Sequence, residues 1–331
     1  MQINKLQVTR NTTFRNSAFT KHGMLINYNL EPEVNKLLQK TFLMLSKKIL
    51  TGINDLREHG LIINEPNIGK DVFDYKPLSN VIKAKSSMQL NIRNNHDLVD
   101  GDEQLIPIPA VHMDFELEAR QEQALKNTNM DLSMFRANIE MNIRRVLEKL
   151  EDMLFNGDST IKYGGNQLYG YTTSPSAIQH ELTGATVSSS STNNGWNSAT
   201  ADYVKDITDM SKKLREKGRY GDKIVYIASD LVDKLENDYS KNKGTNTIKE
   251  RIEAISGILA VKETSALENG TIVMVELDFN TVSWVNVQAP VTRSHEESMF
   301  STHYKTYAIG APIIKVDYDG VTGVVVGKPK P

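Results

Sequence analysis

The residues best suited to chemistry stand on one short stretch. Val111, Met113, Phe115 and Leu117 alternate with His112, Asp114, Glu116 and Glu118, and alternation of period two predicts a strand with all four polar side chains on one face. A cation held by His112, Asp114 and Glu116 would make the chain a metal-dependent α/β enzyme. A solvated strand face shows the same alternation and is far commoner. His295-Glu296-Glu297 lacks the second His of a zinc-binding helix. Tyr163-Gly164-Gly165-Asn166 lacks the glycine spacing and the Lys-Ser/Thr pair of a phosphate loop, and there is no Gly-x-Ser-x-Gly elbow or dinucleotide fingerprint. Asp317-Tyr318-Asp319-Gly320 has no Glu at the closing position of a calcium loop and reads as an Asp-Gly turn. Asn11-Thr12-Thr13 is a glycosylation triplet that matters only in a secreted chain. No catalytic, cofactor-binding or metal-binding residue is assigned, and no cofactor is expected.

The elements that would position such residues follow from periodicity. Pro32 opens an apolar stripe, Val34, Leu37, Leu38, Phe42, Leu45, Ile49, Ile53 and Leu56, which runs to Gly60 and predicts one amphipathic helix of about seven turns. Asp131 fits an N-cap, and Phe135, Ile139, Ile143, Val146, Leu147, Leu150 and Leu154 carry a second helix to Asn156-Gly157, roughly 37 Å long at ~1.5 Å per residue. Residues 1–30 are polar and aperiodic, and 81–107 form a polar excursion around Asn94-Asn95-His96-Asp97, expected to be hairpin-like. Residues 158–200, with the run Ser188 to Gly195, read as loop containing a domain boundary. Beyond it, helices at 203–217, 229–239 and 248–256 alternate with strands at 223–228, 258–262, 271–277 and 281–287, a compact α/β unit. Further strands are expected at 297–308 and 313–318, with an apolar piece at 321–326.

The whole chain has 331 residues, 39 Lys+Arg against 41 Asp+Glu for a net charge of -2, and 39% hydrophobic residues. That length suggests one large or two ordinary domains, and the composition is that of a folded, soluble protein. The absence of cysteine removes disulfides, thiolate metal sites and cysteine nucleophiles. No apolar run approaches the ~18 residues of a membrane span, and the start lacks a signal-peptide core, so use in a cytoplasm is expected. The near-neutral charge argues against sequence-specific nucleic-acid binding. An arm, a long excursion and a long helix bury little within one subunit, so the pattern asks for partners, most simply copies of itself.

Two stretches carry a family resemblance. Leu105-Ile106-Pro107-Ile108-Pro109-Ala110-Val111-His112-Met113-Asp114-Phe115 leads by way of the long helix to Glu151-Asp152-Met153-Leu154-Phe155-Asn156-Gly157. This order resembles the Hong Kong 97 capsid fold of tailed phages, also used by encapsulin shells, with its "E-D-x-x-F-x-G" close to the spine helix. Gly170-Tyr171 is similar to the family's turn after that helix. The resemblance implies an α+β fold: N-terminal arm 1–30, helix and turn-rich segment 31–77, E-loop 78–107, peripheral domain 108–196 with spine helix 131–155, axial domain 197–290, and peripheral return strands 291–331. Along the E-loop, Lys83, Lys85 and Arg93 lie opposite Asp97, Asp100, Asp102 and Glu103, so complementary charge could set register between subunits. Phe135, Ile139, Val146, Leu150 and Leu154 would pack the spine helix.

The implied function is a major capsid protein, not an enzyme, that self-assembles as hexamers and pentamers into an icosahedral shell around double-stranded DNA. Expected partners are many copies of itself and scaffold, portal or decoration proteins, with DNA enclosed without sequence-specific binding, no membrane, and assembly in a host cytoplasm. No scaffolding segment precedes the arm, so a separate scaffold, or none, is expected. The alternative is an encapsulin-type compartment packaging cargo enzymes, since Thr41 to Gly60 followed by Asn64 to Pro77 is similar to the encapsulin helix whose inner face takes a cargo peptide and to its Gly/Pro-rich successor. The arm and the Ser/Asn run at 184–200 favour the phage branch.

Overall fold

Alternation within the strands decides how the two larger sheets of this protein share a core. The computed structural model describes residues 32–76, 104–118, 120, 131–184, 195–198, 200–237, 246–298, 300–317 and 320–329. The arm 1–30, the E-loop positions Lys83, Lys85, Arg93, Asp97, Asp100, Asp102 and Glu103, and the run 188–194 lie outside the described residues, as do the side chains of Phe135 and His295-Glu296-Glu297.

The first sheet has the order β1-β11-β12-β4. Its centre is a long antiparallel hairpin, β11 (Val282–Ser298) and β12 (Ser301–Ile314), flanked by β1 (Ile62–Asn64) parallel to β11 and β4 (Ala110–Glu118) antiparallel to β12. Register shifts around Gln288 and Val291 absorb Pro290, which has no amide to give a ladder. One face of this sheet carries the 26-residue helix α3 (Asp131–Asn156). Ile139, Ile143, Val146, Leu147, Leu150 and Leu154 of α3 are buried, in one cluster with Leu117, Trp284, Tyr304 and Ala308 from the strands.

The second sheet has the order β7-β13-β10-β8-β9, built from β7 (Ile178–Leu182), β8 (Lys223–Ala228), β9 (Ile258–Thr264), β10 (Ile272–Glu276) and β13 (Val324–Pro329). β8 and β10 are buried along their whole length, as continuous apolar runs require when both faces are covered. Val225, Ile227, Ile272 and Met274 turn toward α4 (Tyr203–Glu216) and α6 (Ile248–Glu253), joining Ile207, Met210, Leu214 and Ile252. Ile224, Tyr226, Val273, Val275, Val324 and Val326 turn the other way, into the cluster that holds α3. One core therefore runs from sheet to sheet.

Three expectations are corrected. The single helix over 32–60 is two helices, α1 (Pro32–Ile49) and α2 (Thr51–Glu58), because Leu50 leaves helical geometry at φ -82, ψ 77. The region 158–200 is not simply loop: β5 (Gly157–Tyr163) and β6 (Asn166–Tyr169) form a hairpin through Gly164 and Gly165, both at positive φ, where glycine carries no steric penalty. The helix expected at 229–239 is a 3-10 turn, Ser229–Leu231, followed by the one-turn α5 (Val232–Leu235). The two larger sheets each draw strands from either side of 196/197 and of 290/291. β7 lies before the first but belongs to the five-stranded sheet, β11 begins before the second but belongs to the four-stranded sheet, and β13 closes the five-stranded one.

Candidate functional site at the end of the long helix

The last turn and a half of α3 is where the helices and both sheets meet. Glu151 is 2% exposed, and its Oε1 accepts the Gly52 amide at 2.6 Å while Oε2 accepts the Ile53 amide at 3.4 Å. These are among the first amides of α2, which have no partner inside their own helix. The break at Leu50 thus has a reason: it aims the start of α2 at a carboxyl on α3. Gly52 permits the approach, since a Cβ there would stand 2.6 Å from Leu154 Cδ2.

One turn along α2, Asp55 is 1% exposed. It accepts the Tyr226 hydroxyl of β8 at 2.9 Å and pairs with Lys262 of β9, whose side chain is partly exposed. The five-stranded sheet is thereby fastened to α2, and α2 to α3. Phe155 fills the space between them, edge-on to Tyr171 at 5.5 Å and to Tyr226 at 5.1 Å.

The end of α3 is closed by the turn that follows β6. Tyr171 and Thr172 donate their amides to the Leu154 and Phe155 carbonyls at 3.1 and 2.8 Å, and the Thr173 hydroxyl donates to the Asn156 carbonyl at 2.9 Å. Gly157 has φ +69, and a Cβ on it would stand 2.6 Å from the Gly170 amide nitrogen. Asn156 donates to Asp152 at 2.9 Å and to the Ala266 carbonyl, just past β9, at 2.6 Å. Lys149 bridges Asp152 at 3.2 Å and Asp158 at 3.1 Å.

Burial, the largest cause, and the neighbouring Asp55 push the Glu151 carboxyl up to about 7, against the Gly52, Ile53 and Thr51 amides that favour its charge. Burial also pushes the Tyr171 and Tyr226 hydroxyls well up. The arrangement binds elements to one another, and its hydroxyl–carboxylate pair, Tyr226 and Asp55, is buried among them. It is a structural joint.

The strand row lies elsewhere. His112, Asp114, Glu116 and Glu118 occupy the exposed positions of β4. In register beside them on β12 stand Tyr307, Lys305 and His303, and His303 Nε2 is 3.4 Å from Glu116 Oε2. No three His, Asp or Glu among the described residues converge on a metal position. Ile139, Val146, Leu150 and Leu154 are buried. Gly52, Asp55, Tyr226 and Lys262 were not singled out by the sequence reading. One signal pointed to them: Gly52, a glycine inside an otherwise helical apolar stripe.

A groove of about 370 Å³ runs between α1, α2 and the edge of the four-stranded sheet, lined by Phe42, Ile53, Ile62, Trp284, Pro290 and Ile309 among others. Arg57 also lines it, its guanidinium pushed down by burial and bonded to Asn54 at 3.1 Å.

Residues 43–327 match the model of a family of unknown function, DUF6260. The chain belongs to that family. No curated protein matches this DUF6260 member. Among solved structures it is similar to the capsid of Myoviridae phage XM1, at TM-score 0.60 and 11% identity over 85% of this chain and 92% of that one. It is similar to a virus-like particle from Pyrococcus furiosus, at TM-score 0.56 and 13% identity over 89% of this chain and 100% of that one. It is also similar to a chain of Mycobacterium phage Adephagia, at TM-score 0.56 and 12% identity over 83% and 90%. This DUF6260 member has the α+β Hong Kong 97 type of capsid fold.

Proposed function

We propose that this protein is a major capsid protein that self-assembles into an icosahedral shell enclosing double-stranded DNA. The observation that carries the reading is the capsid fold shared over most of the chain. A subunit with one continuous core and a joint made only of structural contacts suits a mechanical task. Many weak interfaces repeated by symmetry give a closed shell its stability. A net charge of -2 suits a wall that encloses DNA without gripping it. In this reading the E-loop charges, Lys83, Lys85 and Arg93 against Asp97, Asp100, Asp102 and Glu103, lie between subunits. Scaffold, portal or decoration proteins are the further partners, and assembly takes place in the host cytoplasm. Among the described residues no helix is long and apolar enough to cross a membrane.

The second reading is a compartment shell that packages protein. It is favoured by the groove beside α1 and α2, whose apolar floor and single Arg57 suit an apolar peptide with an acidic group.

Expression of the chain, sizing and electron microscopy test both. Megadalton particles from the full chain, and folded but unassembled subunits after removal of 84–102, are expected. A monodisperse small species from the full chain would overturn the shell reading. Nuclease-resistant DNA in native particles supports the capsid, whereas co-purified protein cargo without DNA supports the compartment.

A further inference from the structure

The two small sheets stand against each other. β2 (Val72–Tyr75) and β3 (Gln104–Pro107) pair antiparallel, from Val72 opposite Pro107 to Tyr75 opposite Gln104, and they bracket residues 77–103, which lie outside the described residues. A two-stranded ribbon has little stability of its own, so its course depends on what it leans on. At its base it is tied to itself, by the Ile108 amide donating to the Asp71 carbonyl at 2.8 Å. At the other end, next to residues 77–103, two polar ties reach the rest of the subunit. The Tyr75 hydroxyl donates to the Ile314 carbonyl at 3.4 Å, and Asn166 Nδ2 on β6 donates to the Leu105 carbonyl at 3.2 Å. Between the two ends Phe73 and Ile106, opposite each other, pack with Ile161 of β5 against the cluster of Met153, Leu168 and Ile313.

The β5–β6 hairpin is shaped for that contact. It starts directly after α3, where Gly157 and Gly170 leave no room for a Cβ between their backbones, so it is rooted in the joint. Residues 159–161 are extra on β5, since Asp158 faces Leu168 and Lys162 faces Gln167. Asp158 holds this bulge by accepting the Thr160 amide at 3.0 Å and its hydroxyl at 2.6 Å. A bulge bends its strand, and Ile161 within it joins Phe73 and Ile106. Gly164 and Gly165 then close the turn and set Asn166 opposite Tyr163. We propose that Asn166 and Tyr75 are positioning residues for assembly: they hold the β2–β3 ribbon on its own subunit and thereby aim residues 77–103 at the neighbouring copy. This rests on the shell reading, in which the charges of that segment lie between subunits. The core does not depend on either tie, because both donors are only half-buried and the packing of Phe73 and Ile106 remains without them. Loss of one leaves the subunit folded and its ribbon less fixed.

The test compares the full wild-type chain with Asn166→Leu, which keeps the side-chain size and removes the donor, and with Tyr75→Phe. In Asn166→Leu, hydrogen exchange over 72–75 and 104–106 should quicken about fivefold, as for one hydrogen bond lost, while exchange over 139–154 stays as it was. The share of open or misshapen particles in electron micrographs should rise about as much, because each misplaced ribbon makes a subunit unfit for its neighbour. Tyr75→Phe, which loses the longer bond, should show the same pattern to a smaller extent. Unchanged ribbon exchange in Asn166→Leu, or quickened ribbon exchange with particles like the wild type, would overturn the positioning role alone. Exchange quickened throughout 139–154 would overturn it as well, since the hairpin would then act on the stability of the whole subunit. A wild-type chain that forms no particles would overturn the shell reading and the positioning role with it. Should Asn166→Leu fail to fold, unchanged particles and ribbon exchange in Tyr75→Phe overturn the proposal equally.

Discussion

Two groups of acidic side chains in this protein differ in what surrounds them. Asp114, Glu116 and Glu118 stand with His112 at regular spacing on the exposed face of β4, beside Lys305 and His303. Glu151 and Asp55 come from separate helices, with no spacing to advertise them, and meet in a buried joint where amides, a tyrosine hydroxyl and a lysine answer them. The row looks like chemistry and is a wet sheet face. The joint looks like nothing in one dimension and fixes how the two sheets are held. Water accounts for the difference: an exposed charge is already solvated, whereas a buried one must be matched by the protein.

The sharpest way to separate the two is to damage the joint at its centre. Phe155→Ala empties the space between Tyr171 and Tyr226 and is expected to cost about 3–5 kcal/mol in denaturant unfolding. A loss of under about 1 kcal/mol would mean that the two sheets do not depend on this packing.

A smaller loss is expected at Asp55. Its replacement by Ala leaves the buried Tyr226 hydroxyl without its acceptor, while Lys262 is exposed enough to turn to water. The expected cost is about 2 kcal/mol, with about 1 kcal/mol for Tyr226→Phe. A double-mutant cycle between the two positions should show coupling, and simple additivity would mean that the hydrogen bond contributes nothing.

How much of this was legible varies with the kind of signal. The strand at β4 and the helix ending at Asn156-Gly157 could be read because each repeats its own period and α3 stops at a glycine that must have positive φ. The break at Leu50 could not, since the apolar stripe continues in phase across it and only the carboxyl of Glu151, distant in sequence, explains it. β5, β6 and β7 were missed because their inward residues are few and weakly apolar, though the Gly164-Gly165 turn marked the hairpin. The sheet to which β13 belongs is a long-range pairing with β10 and β7, which no local pattern encodes. The Glu151 signature could be matched to a family from its letters. Its work could be seen only once α2, β8 and β9 were in place around it.

The smallest effect is expected on the strand row, and it tests the comparison from the other side. Glu116 meets His303 at 3.4 Å, but about half of the glutamate side chain is open to water. An exposed pair of this kind contributes at most about 1 kcal/mol, and usually less. Glu116→Ala and His112→Ala should therefore each shift stability by no more than about 0.5 kcal/mol. Addition of a chelator should leave the melting temperature unchanged, because the side chains follow one another along the strand and do not converge on a point. A chelator-dependent drop in melting temperature that His112→Ala abolishes would show that the row gathers a cation after all, and the contrast between wet face and buried joint would fail.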